Sequence, residues 1–209
     1  MNNIKRALIS VWDKKGIEEL ADFLSDNKIE IISTGGTKSV IEKAGIPVIS
    51  VSDIINQKEI MDGRVKTLHP SLFGGILADR ENTSHLEDLA SINSLEIDLV
   101  IINLYPFESE AVKNKLDLEK AIEYIDIGGP SMLRAAAKNF KNVIPLCSPE
   151  QYPSFVSSYK RNNGLFSIED RKNFAQVVFS LTTKYDLLIN QYFSQNINGD
   201  NNDDFTNDL

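Results

Sequence analysis

Cysteine is nearly absent. Cys147 stands alone among 209 residues, which excludes an internal disulfide framework and a cysteine-built zinc cluster. Histidine is almost as scarce, and His69 and His85 are too few for a histidine-rich metal site. No apolar run reaches the roughly 20 residues that span a bilayer, and none near the N-terminus reads as a signal-peptide core. An excess of positive charge is missing too. The 22 Lys and Arg face 30 Asp and Glu, for a formal net charge of −8, which argues against non-specific nucleic-acid binding. These absences predict a cytoplasmic chain with a reduced thiol, no metal, and neither nucleic acid nor membrane as a partner. What is present is ordinary for a folded domain: 42% hydrophobic and 25% charged residues. A chain this long buries about 70% of its unfolded surface and needs no staple to hold a core.

Five short β-rich runs stand out: Ala7–Trp12, Glu30–Ser33, Val48–Val51, Asp98–Leu104 and Val143–Cys147. They are mostly apolar on both faces, as parallel strands covered by helices are. Helical patterns separate most of them. Ile17, Leu20, Ala21 and Leu24 make one amphipathic face, and Thr37–Ala44 is a shorter helix stopped by Gly45 and Pro47. Leu86, Leu89 and Ala90 mark another helix before the fourth strand. The alternation predicts an α/β doubly wound sheet. Toward the C-terminus, Ser167 and Asp170 have capping-box spacing, and Ala175, Val178, Thr182, Tyr185, Ile189 and Tyr192 continue one face. This predicts a helix over Ile168–Gln195, too long to cover the sheet alone. Residues 196–209 hold five Asn, four Asp and no basic residue. The expected organisation is a domain over 1–195 with a C-terminal helical extension, followed by a disordered Asn/Asp-rich tail or linker over 196–209.

Five segments are candidates for chemistry. Ser33-Thr-Gly-Gly-Thr-Lys-Ser39 follows a strand and opens a helix. Its glycines allow close approach and the helix N-terminus offers free N–H groups, so it suits a phosphate. It is neither a Walker A loop nor a dinucleotide fingerprint, and the plain alternative is a strand–helix turn. Ser10-Val-Trp-Asp-Lys14 lies at a strand's carboxyl end, where ligands of parallel sheets gather. Taken alone, Lys14 reads as a solvated charge. Met61–Pro70 packs Asp62, Arg64, Lys66, Thr67 and His69 into a loop without period. It is either a surface excursion or a charged binding loop, and His69 reads better as a hydrogen-bonded structural histidine than as a general base. Asn103 and Tyr105 end the most apolar strand, unless Tyr105-Pro106 is only a turn. Ile125-Asp-Ile-Gly-Gly-Pro130 leads into a helix carrying Arg134 and Lys138. Asp126, flanked by isoleucines, reads as a partly buried carboxylate in need of a partner. The alternative is a capping Asp below a solvent-facing Arg/Lys stripe. Together these segments predict a basic pocket for a phosphorylated anion.

In this order the motifs resemble IMP cyclohydrolase, the N-terminal half of bifunctional AICAR transformylase/IMP cyclohydrolase. The matching stretches are Ser-Val-x-Asp-Lys, Ser-Thr-Gly-Gly-Thr, Asp-Gly-Arg-Val-Lys-Thr-Leu-His-Pro, Asn-Leu-Tyr-Pro-Phe and Asp-Ile-Gly-Gly-Pro-Ser-Met-Leu-Arg-Ala-Ala-Ala-Lys-Asn. The resemblance covers about residues 5–195 and implies a methylglyoxal-synthase-like three-layer sandwich with a parallel sheet of about five strands. It also implies the cofactor-free closure of formyl-AICAR to IMP with loss of water. By the same carry-over, Lys14, Thr34, Gly35, Gly36, Thr37 and Thr67 hold the 5′-phosphate, with Ser10 close by. Arg64 and Lys66 line the base end, and Trp12, Asp13 and Val65 are substrate-binding positions as well. Ile102, Asn103, Asp126, Ile127 and Gly128 meet the heterocycle and its carboxamide. Lys138 moves a proton, supported by Lys66, Tyr105 and Asp126. A lysine among cations loses proton affinity, which suits it to acid–base work near neutral pH. The family also implies a homodimer, and a transformylase half as partner if the chain is a fragment rather than a stand-alone cyclohydrolase.

Two positions depart from the family pattern. Trp12 stands where a small residue, often Ser, is usual, and Phe73 where a second histidine is common. The first removes a hydroxyl contact, and the second is expected to alter packing rather than chemistry. No folate-dependent formyl transfer is expected from these residues. Two other readings compete. Methylglyoxal synthase shares the fold but relies on aspartates and a histidine at other loops. A regulatory nucleotide-binding module keeps the phosphate turn without an acid–base set.

Overall fold

The computed structural model describes residues 3–200. Its strands alternate their side chains between two apolar layers, because helices cover both faces of one sheet. The strands are β1 (Arg6–Val11), β2 (Glu30–Ser33), β3 (Ile49–Ser50), β4 (Leu99–Asn103) and β5 (Ile144–Leu146). All neighbours pair in parallel, in the order β3-β2-β1-β4-β5. The chain moves outward from β1 to β2 and β3, then returns to place β4 on the other side of β1. The order therefore reverses between β1 and β4, and the loops leaving these two strands diverge to open a crevice.

The helices are α1 (Ile17–Asp26), α2 (Gly35–Lys43), α3 (Val51–Ile55), α4 (Pro70–Leu77), α5 (Thr83–Ser91), α6 (Leu118–Ala121), α7 (Gly128–Lys138), α8 (Tyr152–Arg161) and α9 (Ile168–Asp200). One core layer joins Ala7, Ile9, Ile31 and Ile101 to Leu20 and Leu24 of α1, Ile41 of α2 and Phe155 of α8. The other joins Leu8, Ile32, Val100 and Ile102 to Leu72 and Ile76 of α4, Leu133 and Ala136 of α7, and Val178 of α9. This is the three-layer α/β sandwich that the motifs imply. At the amino ends of the strands, buried Asp98 accepts from the Lys5 and Arg6 N–H groups at 2.7 and 2.8 Å, and from Arg80 Nη1 at 2.5 Å. That carboxylate pins β1 to β4 at the end opposite the crevice.

All five expected strands form, β2 with the expected ends and the others with ends shifted by one residue. The shifts at β1 and α2 matter for function. Trp12 has left β1 for the loop beyond it, and α2 begins at Gly35 rather than Thr37. Gly35 and Gly36 are thus the first turn of the helix and not the loop before it. The long helix also runs further than expected, to Asp200 instead of Gln195. The remainder of the expected tail, 201–209, lies outside the described residues. The second half of α9 does not lie on the sheet. Tyr185 and Tyr192 pack instead with Phe107, Ala111 and Ala121, under the excursion between β4 and α7. No helix among the described residues is long and apolar enough to cross a membrane.

Candidate active site

The crevice between the carboxyl ends of β1 and β4 is a cleft of about 730 Å³. Each wall comes from a strand end or a helix start. On the β2 side, α2 presents its first backbone N–H groups, capped by Thr34 in extended geometry with no side-chain hydrogen bond. Gly35 has φ +49°, and a Cβ there would lie 2.7 Å from Lys66 Nζ. Glycine is therefore favoured for its backbone, while the Lys66 amine leaning on it is the end of a flexible side chain that can move aside. The free N–H groups, the positive end of the helix dipole and the Lys66 ammonium converge on one spot, an arrangement suited to a phosphate. Lys66 also lies 3.5 Å from Glu59, and Arg64 pairs with Glu123 across the mouth of the cleft.

Lys14 folds back on its own loop. Its amine donates to the Val11 and Trp12 carbonyls. Burial holds its pKa below the ordinary lysine value, with Asp13 pulling weakly the other way. Thr37 is buried, and its hydroxyl is fully engaged with β1. It accepts from the Val11 N–H at 3.1 Å and donates to the Val11 carbonyl at 3.0 Å. The hydroxyl expected to bind phosphate is thus the rivet that fixes α2 to the sheet. Asn103 is engaged in the same way. Its Oδ1 accepts from the N–H groups of Trp12 and Asp13 at 2.6 and 2.9 Å, and its Nδ2 donates to the Asp13 carbonyl at 2.9 Å.

The far wall is the start of α7. Asp126 accepts from the Gly129 N–H at 2.8 Å, so it caps the helix, as its alternative reading had it. It also lines the cleft. Burial raises its pKa, while N–H groups of Gly129, Tyr105 and Gly128 pull it part of the way back. A Cβ on Gly129 would lie 2.3 Å from the carboxylate, so glycine is what lets the carboxyl seat there. Behind it, the Tyr185 hydroxyl accepts from the Asp126 N–H at 2.8 Å. Buried Thr67 closes the floor, its Oγ1 2.8 Å from where a Gly128 Cβ would sit.

Of the residues expected at the site, Ser10, Trp12, Lys14, Thr34, Gly36, Thr37, Arg64, Lys66, Thr67, Ile102, Asn103, Tyr105, Asp126, Ile127 and Gly128 line this one cleft. Gly35 abuts it through Lys66. Asp13 and Val65 serve their own loops, Asp13 by capping the Lys15 N–H and Val65 by bridging Ile60. Lys138 is not brought to the cleft. It ends α7, about 15 Å along the helix from Gly128, and lines a separate groove of about 780 Å³ between α7 and α9 with Lys172 and Lys184. His69 is structural, as expected, with Nδ1 accepting from the Ser71 N–H. Phe73, on α4, is partly buried and packs against the core. Sequence reasoning missed Glu123 and Glu59, which pair with the cleft's cations. Neither carries a motif, and only the fold brings them within reach.

Residues 16–131 match the MGS-like domain family. The chain belongs to that family. Residues 136–208 match a second family, the AICARFT/IMPCHase bienzyme, in line with the resemblance that the motifs carry. The chain is 49% identical over 197 residues to the "Bifunctional purine biosynthesis protein PurH" of Leptospira biflexa, covering 94% of this chain and 38% of that protein. It is 52% identical over 188 residues to the protein of the same name from Fusobacterium nucleatum, covering 90% of this chain and 37% of the relative. The chain thus spans well under half the length of these relatives. The solved structure of ForH superposes with a TM-score of 0.81 at 35% identity, over 92% of this chain and 98% of that one.

Proposed function

We propose that this chain is an IMP cyclohydrolase, closing formyl-AICAR to IMP with loss of water and without cofactor or metal. The observation that carries the reading is the pairing, in one cleft, of an anion-ready helix start and a desolvated carboxylate. The α2 N-terminus with Lys66 receives the 5′-phosphate, and Asp126 waits at the other end. The bienzyme match and the relatives' names point the same way.

The reaction is intramolecular, so most of the work is holding a reactive rotamer and handling two protons. The carboxamide nitrogen bonds to the formyl carbon and gives one proton to Asp126, whose raised pKa suits it to accept one. Negative charge gathers on the formyl oxygen, where donors in the cleft stabilise it. That oxygen takes up both protons, the first handed back by Asp126 and the second released by the formamide nitrogen, and leaves as water. Its C–O bond breaks as the formamide nitrogen forms the new C=N bond. Tyr105 stands beside Asp126 as a donor. The proton-transfer lysine of the resemblance, Lys138, is beyond reach of its own cleft. In this reading it acts from a second copy of the chain, and the homodimer is functional. The chain works in the cytoplasm.

The test is the ultraviolet absorbance of the purified chain with formyl-AICAR in chelator-treated buffer. Growth of the IMP spectrum above the enzyme-free control is the expected result. A flat trace, or release of phosphate from dihydroxyacetone phosphate, overturns the reading in favour of a sensor module or of methylglyoxal synthase chemistry.

A further inference from the structure

Two large aromatic side chains stand in the cleft with much of their surface uncovered. Trp12 is 44% exposed and Tyr105 is 43% exposed, and both line the cleft. Their ring centroids are 4.5 Å apart with planes tilted by 42°. Water-exposed apolar surface of this size inside a cleft marks a contact surface for a ligand. We propose that Trp12 and Tyr105 form an aromatic wall that stacks on the planar base of the nucleotide and makes the cleft prefer base-bearing phosphates over plain sugar phosphates. This rests on the nucleotide reading of the same cleft and names what holds the base.

Position supports it. Trp12 follows β1 and Tyr105 follows β4, and the phosphate-ready turn follows β2. From β2 to β1 is one strand spacing and to β4 two, about 5 and 10 Å, so the phosphate-ready turn and the wall stand within the length of one nucleotide. The wall is also held in place. Val11 and Asn103 are register partners in the sheet, and the Asn103 amide clamps the Trp12 and Asp13 backbone through three hydrogen bonds. Lys14 takes the Trp12 carbonyl at 3.1 Å. The loop's polar groups are therefore satisfied within the protein, and the indole is what the loop offers to a ligand. Asn103, expected to touch the heterocycle, becomes the positioning residue for this wall. Aromatic faces accept flat heterocycles of many kinds through dispersion and offset stacking, and a sugar phosphate has no such face.

Trp12 is the sole tryptophan of the chain, so its emission reports on this spot alone. The experiment titrates the chain with IMP, ribose 5-phosphate and inorganic phosphate, reading tryptophan emission and calorimetric affinity together. IMP is expected to change the emission saturably, and the other two to leave it unchanged. Trp12→Ala is expected to weaken IMP about tenfold while ribose 5-phosphate stays within about twofold. Trp12→Phe, which keeps a stacking face, is expected to recover most of the loss and guards against misfolding of the alanine variant. IMP affinity equal in wild type and Trp12→Ala, with no change of emission when IMP binds wild type, overturns the wall while leaving the nucleotide reading intact. Absence of calorimetric IMP binding overturns the nucleotide reading, and the wall falls with it.

Discussion

Thr37 can make two hydrogen bonds through one hydroxyl, and β1 takes both. A residue two positions into a Gly-Gly-Thr turn reads as a phosphate donor because sequence shows the hydroxyl but not its partner. Burial decides the matter, since a buried hydroxyl must be satisfied within the protein. Thr37→Val is accordingly expected to cost about 1–3 kcal/mol of stability in urea unfolding, through the unsatisfied Val11 backbone. A variant as stable as wild type contradicts the rivet. Asp126 was more legible. Its flanking isoleucines signalled burial, and the structure adds the caps that hold it. Burial raises its folded pKa above the unfolded value, so the native state binds that proton more tightly. The resulting stabilisation is full below the ordinary carboxylate range and is lost as pH rises through the raised value. Above that window the native chain carries a desolvated charge. Asp126→Asn keeps an oxygen for the Gly129 N–H and sheds the charge. It is expected to be more stable than wild type near pH 7, with the advantage fading below about pH 4. A difference that does not change with pH contradicts this.

At the scale of elements, α9 shows how a periodic pattern can be right about a helix and silent about its target. The stripe from Ala175 to Tyr192 is buried at Ala175, Val178, Thr182, Tyr185 and Tyr192. Only its first part meets the sheet layer, and its second part covers the excursion that delivers Asp126. Periodicity gives the buried face but not the neighbour, which depends on where the chain returns in space. Through Tyr185 the helix reaches the site. The hydroxyl holds the Asp126 N–H at 2.8 Å, and its own pKa is pushed up to about 12 by burial, with the Asp126 charge adding to that. Tyr185→Phe is expected to lose about 1 kcal/mol of stability. It is also expected to lower kcat more than it raises KM, because Asp126 is then seated less firmly. Equal kinetics in the two chains would show that α9 only covers this segment. The strand–helix order was readable because parallel strands are apolar on both faces and glycines mark the turns. The starts of α2 and α7 were not, because glycine is a poor helix former and signals a loop until the helix is seen to begin there.

For the whole molecule, the reversal of strand order between β1 and β4 explains why residues as far apart as Ser10 and Met132 share one cleft. Motifs scattered along the chain are at strand ends, and strand ends meet at the switch point. Lys138 fails this rule because it lies at the far end of its helix. Its assigned role therefore predicts a dependence on assembly. Lys138→Ala is expected to cut turnover about 100-fold, and the specific activity of the unaltered chain is expected to rise with its concentration. Turnover indifferent to both removes Lys138 from the mechanism and confines the chemistry to one chain. With the Asp126 pKa raised and the Lys14 pKa lowered, kcat/KM is expected to fall off at both ends inside the range that ordinary carboxylates and lysines would allow.

In the proposed mechanism Asp126, in this cleft, takes the carboxamide proton during ring closure. The most direct measurement compares wild type with Asp126→Asn, following formyl-AICAR turnover and calorimetric IMP binding on the same preparations. In Asp126→Asn, kcat is expected to fall by about 100-fold or more while the Kd for IMP stays within about threefold. Turnover undiminished in Asp126→Asn, with IMP bound as before, would contradict it.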